Sequence, residues 1–311
     1  MYQPDYDTEP PRRRGLRWGR VFGVLLVLVL LLLAGGLAAG VHQMSKIDGQ
    51  IERVGDVFAE VPADTRPAAG ADGATNILLV GTDAWKNKPP RSDTLMVVHL
   101  PADRQQAYIV SIPRDSWVPI PGRGRAKINA AYAWGGPALL VQTVEQFTDL
   151  RIDHFAQISF DGFEAMTDAV GGVTMPKVGR LNGKEALVYV RERKSLQNGD
   201  FDRIKRQQAF VRQLLAESTS TSNPMELLRL ADAMSKAVGV DNGLTGGELR
   251  SLALSMRNIR GSDIEFTTAP NKGTGWAGDQ SVVYLDPEAG VGLWTAMRED
   301  RMAEWTATHP R

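Results

Sequence analysis

The chain contains no cysteine. This excludes disulfides, thiol nucleophiles and zinc–thiolate sites, and it fits a reducing or an oxidising compartment alike. Histidine is scarce: the four residues His42, His99, His154 and His309 are scattered without ligand-like spacing, which argues against a zinc enzyme or a His-based triad. Also missing are the Gly-x-x-x-x-Gly-Lys-Ser/Thr phosphate loop, the Gly-x-Ser-x-Gly nucleophile elbow and the His-Glu-x-x-His metal helix. Net charge is absent too. Over 311 positions 36 basic residues cancel 36 acidic ones, so no general affinity for nucleic acid is expected.

What is present is unevenly distributed. Residues 1–20 hold Arg12, Arg13, Arg14, Arg17 and Arg20 against Asp5, Asp7 and Glu9, which leaves 31 basic and 33 acidic residues for the remainder. Pro4–Arg14, rich in proline and charge, reads as disordered. Val21–Val41 then runs for 21 residues without a charge. As a helix it spans about 31 Å, one bilayer core. The arginines before it and the sparse cations after it (Lys46, Arg53) put residues 1–20 in the cytoplasm and the bulk of the chain outside a cell membrane crossed once. A cleaved signal peptide ending near Leu37-Ala38-Ala39-Gly40 is the rival reading, and it exports the same bulk.

Met44, Ile47, Ile51, Val54 and Phe58 recur at helical spacing, and Val61–Ala74 is rich in Pro, Ala and Gly. Residues 42–74 therefore read as a juxtamembrane helix and a linker. From residue 75 to 311 short β-branched runs alternate with helical patterns. Expected strands are Ile77–Val80, Thr94–Leu100, Ala107–Ile112, Phe155–Phe160, Ala186–Val190, Ile264–Thr268 and Ser281–Leu285. Expected helices lie near 130–147, 161–170, 203–217, 224–237, 246–257 and 288–298. The pattern predicts a single α/β domain, a mixed sheet with helices on both faces, preceded by one N-terminal transmembrane helix.

The polar residues sit at the ends of these runs. Asp83 follows the first strand, Arg91-Ser92-Asp93 precedes the second, Pro113-Arg114-Asp115 ends the third, and Arg191 and Arg193 follow Ala186–Val190. Ligands of open α/β sheets bind beyond strand ends, although charged strand ends are also ordinary solvated loops. Between Arg191 and Gln208 six cations (Arg191, Arg193, Lys194, Arg203, Lys205, Arg206) surround an apparent helix start near Arg203. A helix N-terminus prefers acidic residues, so cations there suit either a solvated face or a bound anion such as phosphate. Arginine clamps phosphate through forked hydrogen bonds, and paired carboxylates share Mg²⁺ with phosphate oxygens. Asp83 and Asp93 are the candidate metal ligands, and Arg91, Arg114, Arg191, Arg193 and Arg203 the candidate clamps. Arg203 and Gln207 share a helix face at i, i+4, and Asp200 caps that helix or orients an arginine.

The chain resembles the LytR-CpsA-Psr family of bacterial cell-envelope proteins. The resemblance rests on an ordered set: Asn76–Gly81 with Thr82-Asp83, Arg91-Ser92-Asp93-Thr94, Ser111-Ile112-Pro113-Arg114-Asp115, Lys127-Ile128-Asn129-Ala130-Ala131-Tyr132, Phe160-Asp161-Gly162-Phe163 with Val170-Gly171-Gly172-Val173, Leu181-Asn182-Gly183-Lys184-Glu185-Ala186-Leu187, and Arg191-x-Arg193 with Asp200-x-x-Arg203-x-x-x-Gln207. These motifs occupy about residues 75–215, and the N-terminal anchor matches too. The resemblance implies a phosphotransferase that moves a glycopolymer phosphate from a polyprenyl-diphosphate carrier to peptidoglycan. It implies Mg²⁺, or Mn²⁺ in its place, on Asp83 and Asp93, with the diphosphate held by Arg91, Arg114, Arg191, Arg193 and Arg203. Asp200 and Gln207 belong to the same site, and Lys127 lies in a matched motif. Asp93 and Asp115 are candidates for the base. Val173–Arg180 is shorter than the family's usual insert. The family fold buries the polyprenyl chain, and Ala138–Val141, Phe155–Phe163 and Ala165–Val170 are runs that could line its cleft or equally fill the core. A polyprenyl-diphosphate hydrolase with water as acceptor, or a non-enzymatic membrane-tethered envelope regulator, are the alternatives.

Overall fold

A computed structural model describes residues 51–83, 91–192, 196, 200–218, 232, 233, 235–256, 259 and 263–309. The side chains of Asp83, Arg91 and Asp200 lie outside that description, as do residues 1–50 and Arg193. The expected span Val21–Val41 therefore falls beyond it; among the described residues no helix is long and apolar enough to cross a membrane.

The strands are β1 (Glu52–Arg53), β2 (Thr75–Asp83), β3 (Arg91–Leu100), β4 (Ala107–Ile112), β5 (Trp117–Ile120), β6 (Gly124–Lys127), β7 (His154–Ser159), β8 (Val173–Met175), β9 (Gly179–Leu181), β10 (Val238–Val240), β11 (Ile264–Thr268), β12 (Asn271–Ala277) and β13 (Gln280–Leu285). The helices are α1 (Ile128–Thr148), α2 (Phe160–Ala169), α3 (Gly183–Arg191), α4 (Asp200–Ser218), α5 (Gly246–Ser255), α6 (Pro287–Arg298) and α7 (Met302–Thr308). A seven-stranded sheet runs β1-β10-β7-β2-β3-β4-β11. It is mixed: β7 runs parallel to β2 and β11 to β4, while β3 is antiparallel to both β2 and β4. Among the described residues three two-stranded hairpins, β5–β6, β8–β9 and β12–β13, stand beside it.

The central strands are apolar at consecutive positions because both faces of the sheet are covered. Alternation sends Ile77, Met96, Val98 and Ile109 to one layer, where they pack on Met166, Val190, Phe210 and Leu252 of α2–α5. It sends Leu78, Val80, Val97 and Val110 to the other, against Ile128, Val144, Leu293 and Met297 of α1 and α6. Each such fully buried side chain contributes about 1.5–3 kcal/mol. The expected single α/β domain with helices on both faces is what forms.

Several local expectations differ. Ala186–Val190 is the middle of α3, not a strand. Asn182 Oδ1 accepts from the Glu185 amide at 3.0 Å and Glu185 Oε2 from the Asn182 amide at 2.9 Å, a reciprocal cap that fixes the helix start. Residues 51–58 are not helical: Glu52–Arg53 form an edge strand with β10, and residues 44–50 lie outside the description. The segment read as linker is docked. Arg66 Nη2 bonds Glu145 Oε1 at 2.7 Å, with both side chains buried. The helix expected over 224–237 lies largely outside the described residues; those of it that are described, 232, 233 and 235–237, are helical. The helix expected from 130 starts at Ile128 and breaks at Gly135-Gly136-Pro137, where Gly136 takes φ 63°.

Candidate functional site

The carboxyl ends of β2, β4, β7 and β11 and the start of antiparallel β3 meet at one edge of the sheet. There the ladder between β2 and β3 slips. Gly81 pairs with Thr94 and Thr82 with Ser92, so Asp93 is the extra residue of a β-bulge. A bulge re-aims a side chain, and this one turns Asp93 out of the ladder toward Arg114. Asp83 and Arg91 form the last backbone register pair of the two strands.

Arg114 follows β4 on a loop tied at both ends. Ser116 Oγ donates to the Pro113 carbonyl at 2.6 Å, and the first amides of α1, at Ile128 and Asn129, donate to the Ser116 and Arg114 carbonyls at 2.8 and 3.2 Å. Those two bonds satisfy orphan donors of the helix while fixing the arginine backbone. The Arg114 guanidinium pairs with Asp93, and Asp115 lies 3.9 Å from Arg114 Nε and 3.4 Å from Lys127 Nζ. Arg114 Nε is buried and makes no hydrogen bond among the described residues. A buried guanidinium N–H of this kind is a donor suited to an anionic oxygen.

The opposite wall comes from α2, α3 and α4. Gly183 opens α3 where a Cβ would stand 2.3 Å from the Glu164 carbonyl oxygen, so only glycine lets α3 approach α2 this closely. Arg191 closes α3, where a cation opposes the negative helix end. Its guanidinium sits 4.3 Å from the Phe160 ring centroid. On α4, Arg203 and Gln207 are buried, 4% and 8% exposed, on the face that also carries Phe210 and Leu214. Gln207 Nε2 donates to the Val190 carbonyl at 3.3 Å, and Gln208 Nε2 to Ser111 Oγ at 3.0 Å, holding α4 against α3 and β4. Of the cations at this helix start, Lys205 faces solvent and Arg206 stacks on Tyr189, so Arg203 alone of these three turns inward.

Two cavities meet at these residues. The first, of about 280 Å³, lies between the sheet and α2–α4. Its walls are apolar, including Leu79, Met96, Ile158, Phe163 and Leu214, and Asp93, Arg114, Arg191, Arg203 and Gln207 border it. The second, of about 680 Å³, shares Asp93, Arg114 and Arg191 with the first and adds Asp115, Trp117, Arg125, Lys127, Asn129, Trp134 and Gln280.

Of the residues expected at the site, Asp93, Arg114, Arg191, Arg203 and Gln207 thus surround one cavity, and Lys127 lines its neighbour. Asp83 and Asp200 are placed by backbone only, at the end of β2 and the start of α4, and Arg91 opens β3; Arg193 lies outside the described residues. Arg191 belongs to a helix end rather than a strand end. Of the runs read as cleft-lining, Phe160, Phe163 and Met166 do line the first cavity, whereas Ala138, Leu140 and Val141 pack in the layer across the sheet. Trp117, Arg125, Trp134 and Gln280 were not anticipated. Trp117, Arg125 and Trp134 come from the consecutive elements β5, β6 and α1 and Gln280 from distant β13, and they share no local pattern; Asn129, also on this wall, sits in a recognised motif.

The pattern of the LytR_cpsA_psr family matches residues 42–179 and 177–298, and the chain belongs to that family. It is 32% identical to the cell wall biosynthesis protein LcpA of Corynebacterium glutamicum, over 85% of this chain and 62% of that one. It therefore spans less than two thirds of LcpA's length. It is 30% identical to the polyisoprenyl-teichoic acid–peptidoglycan teichoic acid transferase TagU of Oceanobacillus iheyensis, over 83% of this chain and 86% of that one. The crystal structure of Bacillus subtilis TagV superposes with a TM-score of 0.62 at 28% identity, covering 74% of this chain and 97% of TagV.

Proposed function

We propose that the protein is a membrane-anchored, outward-facing phosphotransferase that moves a glycopolymer phosphate from a polyprenyl-diphosphate carrier to peptidoglycan. One observation carries the reading: an apolar cavity whose border is Asp93, Arg114, Arg191, Arg203 and Gln207. An amphiphile with a hydrocarbon tail and a diphosphate head matches that division, the tail against Phe163 and Leu214, the head against the guanidinia. The relatives' names support the class, since TagU is named a polyisoprenyl-teichoic acid–peptidoglycan teichoic acid transferase. The uncharged run Val21–Val41 and the arginines before it support the anchor and its orientation.

In this reading Arg114, Arg191 and Arg203 grip the diphosphate oxygens, with Arg91, Arg193 and Gln207 completing the clamp. A peptidoglycan hydroxyl enters through the second cavity and forms a bond to the glycan-side phosphorus, while the bond to the bridging oxygen breaks and polyprenyl phosphate leaves. Asp115, on the wall of that cavity, accepts the hydroxyl proton. Asp83 and Asp93 are the residues that would hold Mg²⁺ or Mn²⁺, being hard oxygen donors near a common bulge. Bound there, the ion would offset negative charge on the diphosphate.

The test is ligation of purified lipid-linked glycan to peptidoglycan in Mg²⁺ by Arg191→Ala and Asp93→Ala. Each is expected to lose about 10²-fold or more in rate; full ligation by both variants would overturn the site. Turnover without peptidoglycan would show that hydrolysis is possible; only covalent product on peptidoglycan separates transfer from it.

A further inference from the structure

The second cavity does not end at the β5–β6 hairpin. Trp117 and Arg125 also line a third cavity, of about 440 Å³, between that hairpin, β13 and α6. We infer that this third cavity is a binding subsite for the acceptor glycan, holding the sugars next to the one that reacts. The inference deepens the transferase reading above and rests on it.

The order of the cavities supplies the first argument. Attacking and leaving oxygens lie roughly in line in phosphoryl transfer. If the lipid phosphate departs toward the apolar cavity, the attacking hydroxyl comes from the far side of Asp93, Arg114 and Arg191, which is the second cavity. A polymeric acceptor with one sugar there must lay its neighbours somewhere, and the third cavity adjoins through Trp117 and Arg125.

The lining supplies the second. Tyr284 presents its ring to this cavity, 37% exposed and fixed at both ends. Its hydroxyl donates to the Trp276 carbonyl at 2.9 Å. Its ring lies across Gly275, where a Cβ would stand 2.6 Å from Cε2. A flat, immobilised ring is a platform for the C–H face of a sugar, with little entropy left to lose. Around it the charges cancel: Arg125 and Arg298 stand against Asp149 and Asp286. Such a rim bonds the hydroxyls and amides of an uncharged saccharide better than it bonds a polyanion, which favours acceptor sugars over phosphate-bearing donor polymer. The platform is also held in register with the site, because the Val283 amide donates to the Asp115 carbonyl at 2.9 Å.

The experiment is equilibrium binding of soluble, uncross-linked peptidoglycan oligosaccharides to the full chain, by calorimetry, with no lipid donor present. Tyr284→Ala is expected to weaken binding about tenfold, and Tyr284→Phe, which keeps the ring, by no more than about threefold. Val291 is 63% exposed at the cavity rim, so Val291→Trp tests the site by filling it at a position that leaves the core alone; about tenfold weakening is expected there too. Binding unchanged in both Tyr284→Ala and Val291→Trp overturns the subsite, as does no binding by the wild-type chain. Tighter binding of delipidated donor polymer than of peptidoglycan oligosaccharide overturns the acceptor assignment. Because no donor is turned over, failure of the transferase reading appears only in the ligation assay and this result stands apart from it.

Discussion

The guanidinium of Arg191 lies 4.3 Å from the centroid of the Phe160 ring, and the two residues belong to adjoining helices that border the apolar cavity. Phe160 opens α2 and Arg191 closes α3, so the contact fixes the aim of a long side chain with many rotamers. A cation over an aromatic face gains about 0.5–2 kcal/mol, depending on desolvation. Phe160→Leu keeps an apolar wall and removes the ring. It is expected to weaken binding of a polyprenyl diphosphate by about 3–10-fold with little change in melting temperature. Affinity within twofold of wild type would show that Arg191 is aimed by something else.

Gly183→Ala tests the seat of α3. The added methyl meets backbone rather than a movable side chain, at 2.3 Å from the Glu164 carbonyl oxygen. The variant is expected to lose about 1–3 kcal/mol in denaturant unfolding and to lose activity beyond that, since α3 carries Arg191. Wild-type stability would mean that α3 yields without cost.

The buried pair Arg66–Glu145 predicts an asymmetric result. Glu145 is 1% exposed, accepts from Arg66 and also accepts from the Ile152 amide at 2.9 Å. Arg66→Ala leaves that carboxylate buried without its cation and is expected to cost about 3–5 kcal/mol. The double variant Arg66→Ala with Glu145→Gln should recover part of the loss. A single variant as stable as wild type would mean that residues 61–74 dock without the ion pair.

His99 predicts a pH dependence. It is fully enclosed, with Nδ1 2.8 Å from Asn76 Oδ1 and Nε2 3.1 Å from Asp300 Oδ1. Burial pulls the imidazole from 6.5 down to about 4, against the opposing pull of Asp300. Between those values the unfolded chain holds a proton that the folded chain does not, so stability falls as pH drops from 6.5 toward 4. The contribution is at most on the order of 3 kcal/mol. Melting at pH 7 and pH 4.5 is expected to show a smaller drop for His99→Gln than for wild type, a difference in which carboxylates titrating in the same window cancel. Equal drops would mean that His99 binds its proton over the same pH range in the folded and the unfolded chain.

Much of the architecture is legible in the amino-acid sequence because β2, β3 and β4 are covered on both faces and so read as unbroken apolar runs. Ala186–Val190 misleads for a related reason. Leu187-Val188-Tyr189-Val190 is rich in β-branched and aromatic residues, and that propensity hides the Asn182-x-x-Glu185 cap standing just before it. The strands β1 and β10, two and three residues long, are too short to show any period. β12 escapes notice because Gly273-Thr274-Gly275 lacks the side chains that mark a strand, although the glycine at 275 is what seats Tyr284. At the site, the residues that converge are those whose charge broke a local rule: Arg203 at a positive helix end and Asp93 beside a strand. The tryptophans and Gln280 break no rule where they stand, so proximity in three dimensions alone reveals them.

The edge strand β1 has a mechanical consequence. Glu52 and Arg53 lie parallel to Gly239 and Val240, the Val54 amide donates to the Val240 carbonyl, and Arg53 Nη1 reaches the Leu244 carbonyl at 2.5 Å. Tension applied through the residues before Glu52 therefore loads these bonds in shear, several at once, rather than peeling them one by one. The domain is held at this point like a lap joint, so a pull from its N-terminal side reaches the sheet through β10 and β7 before it reaches β2, whose far end borders the proposed diphosphate clamp.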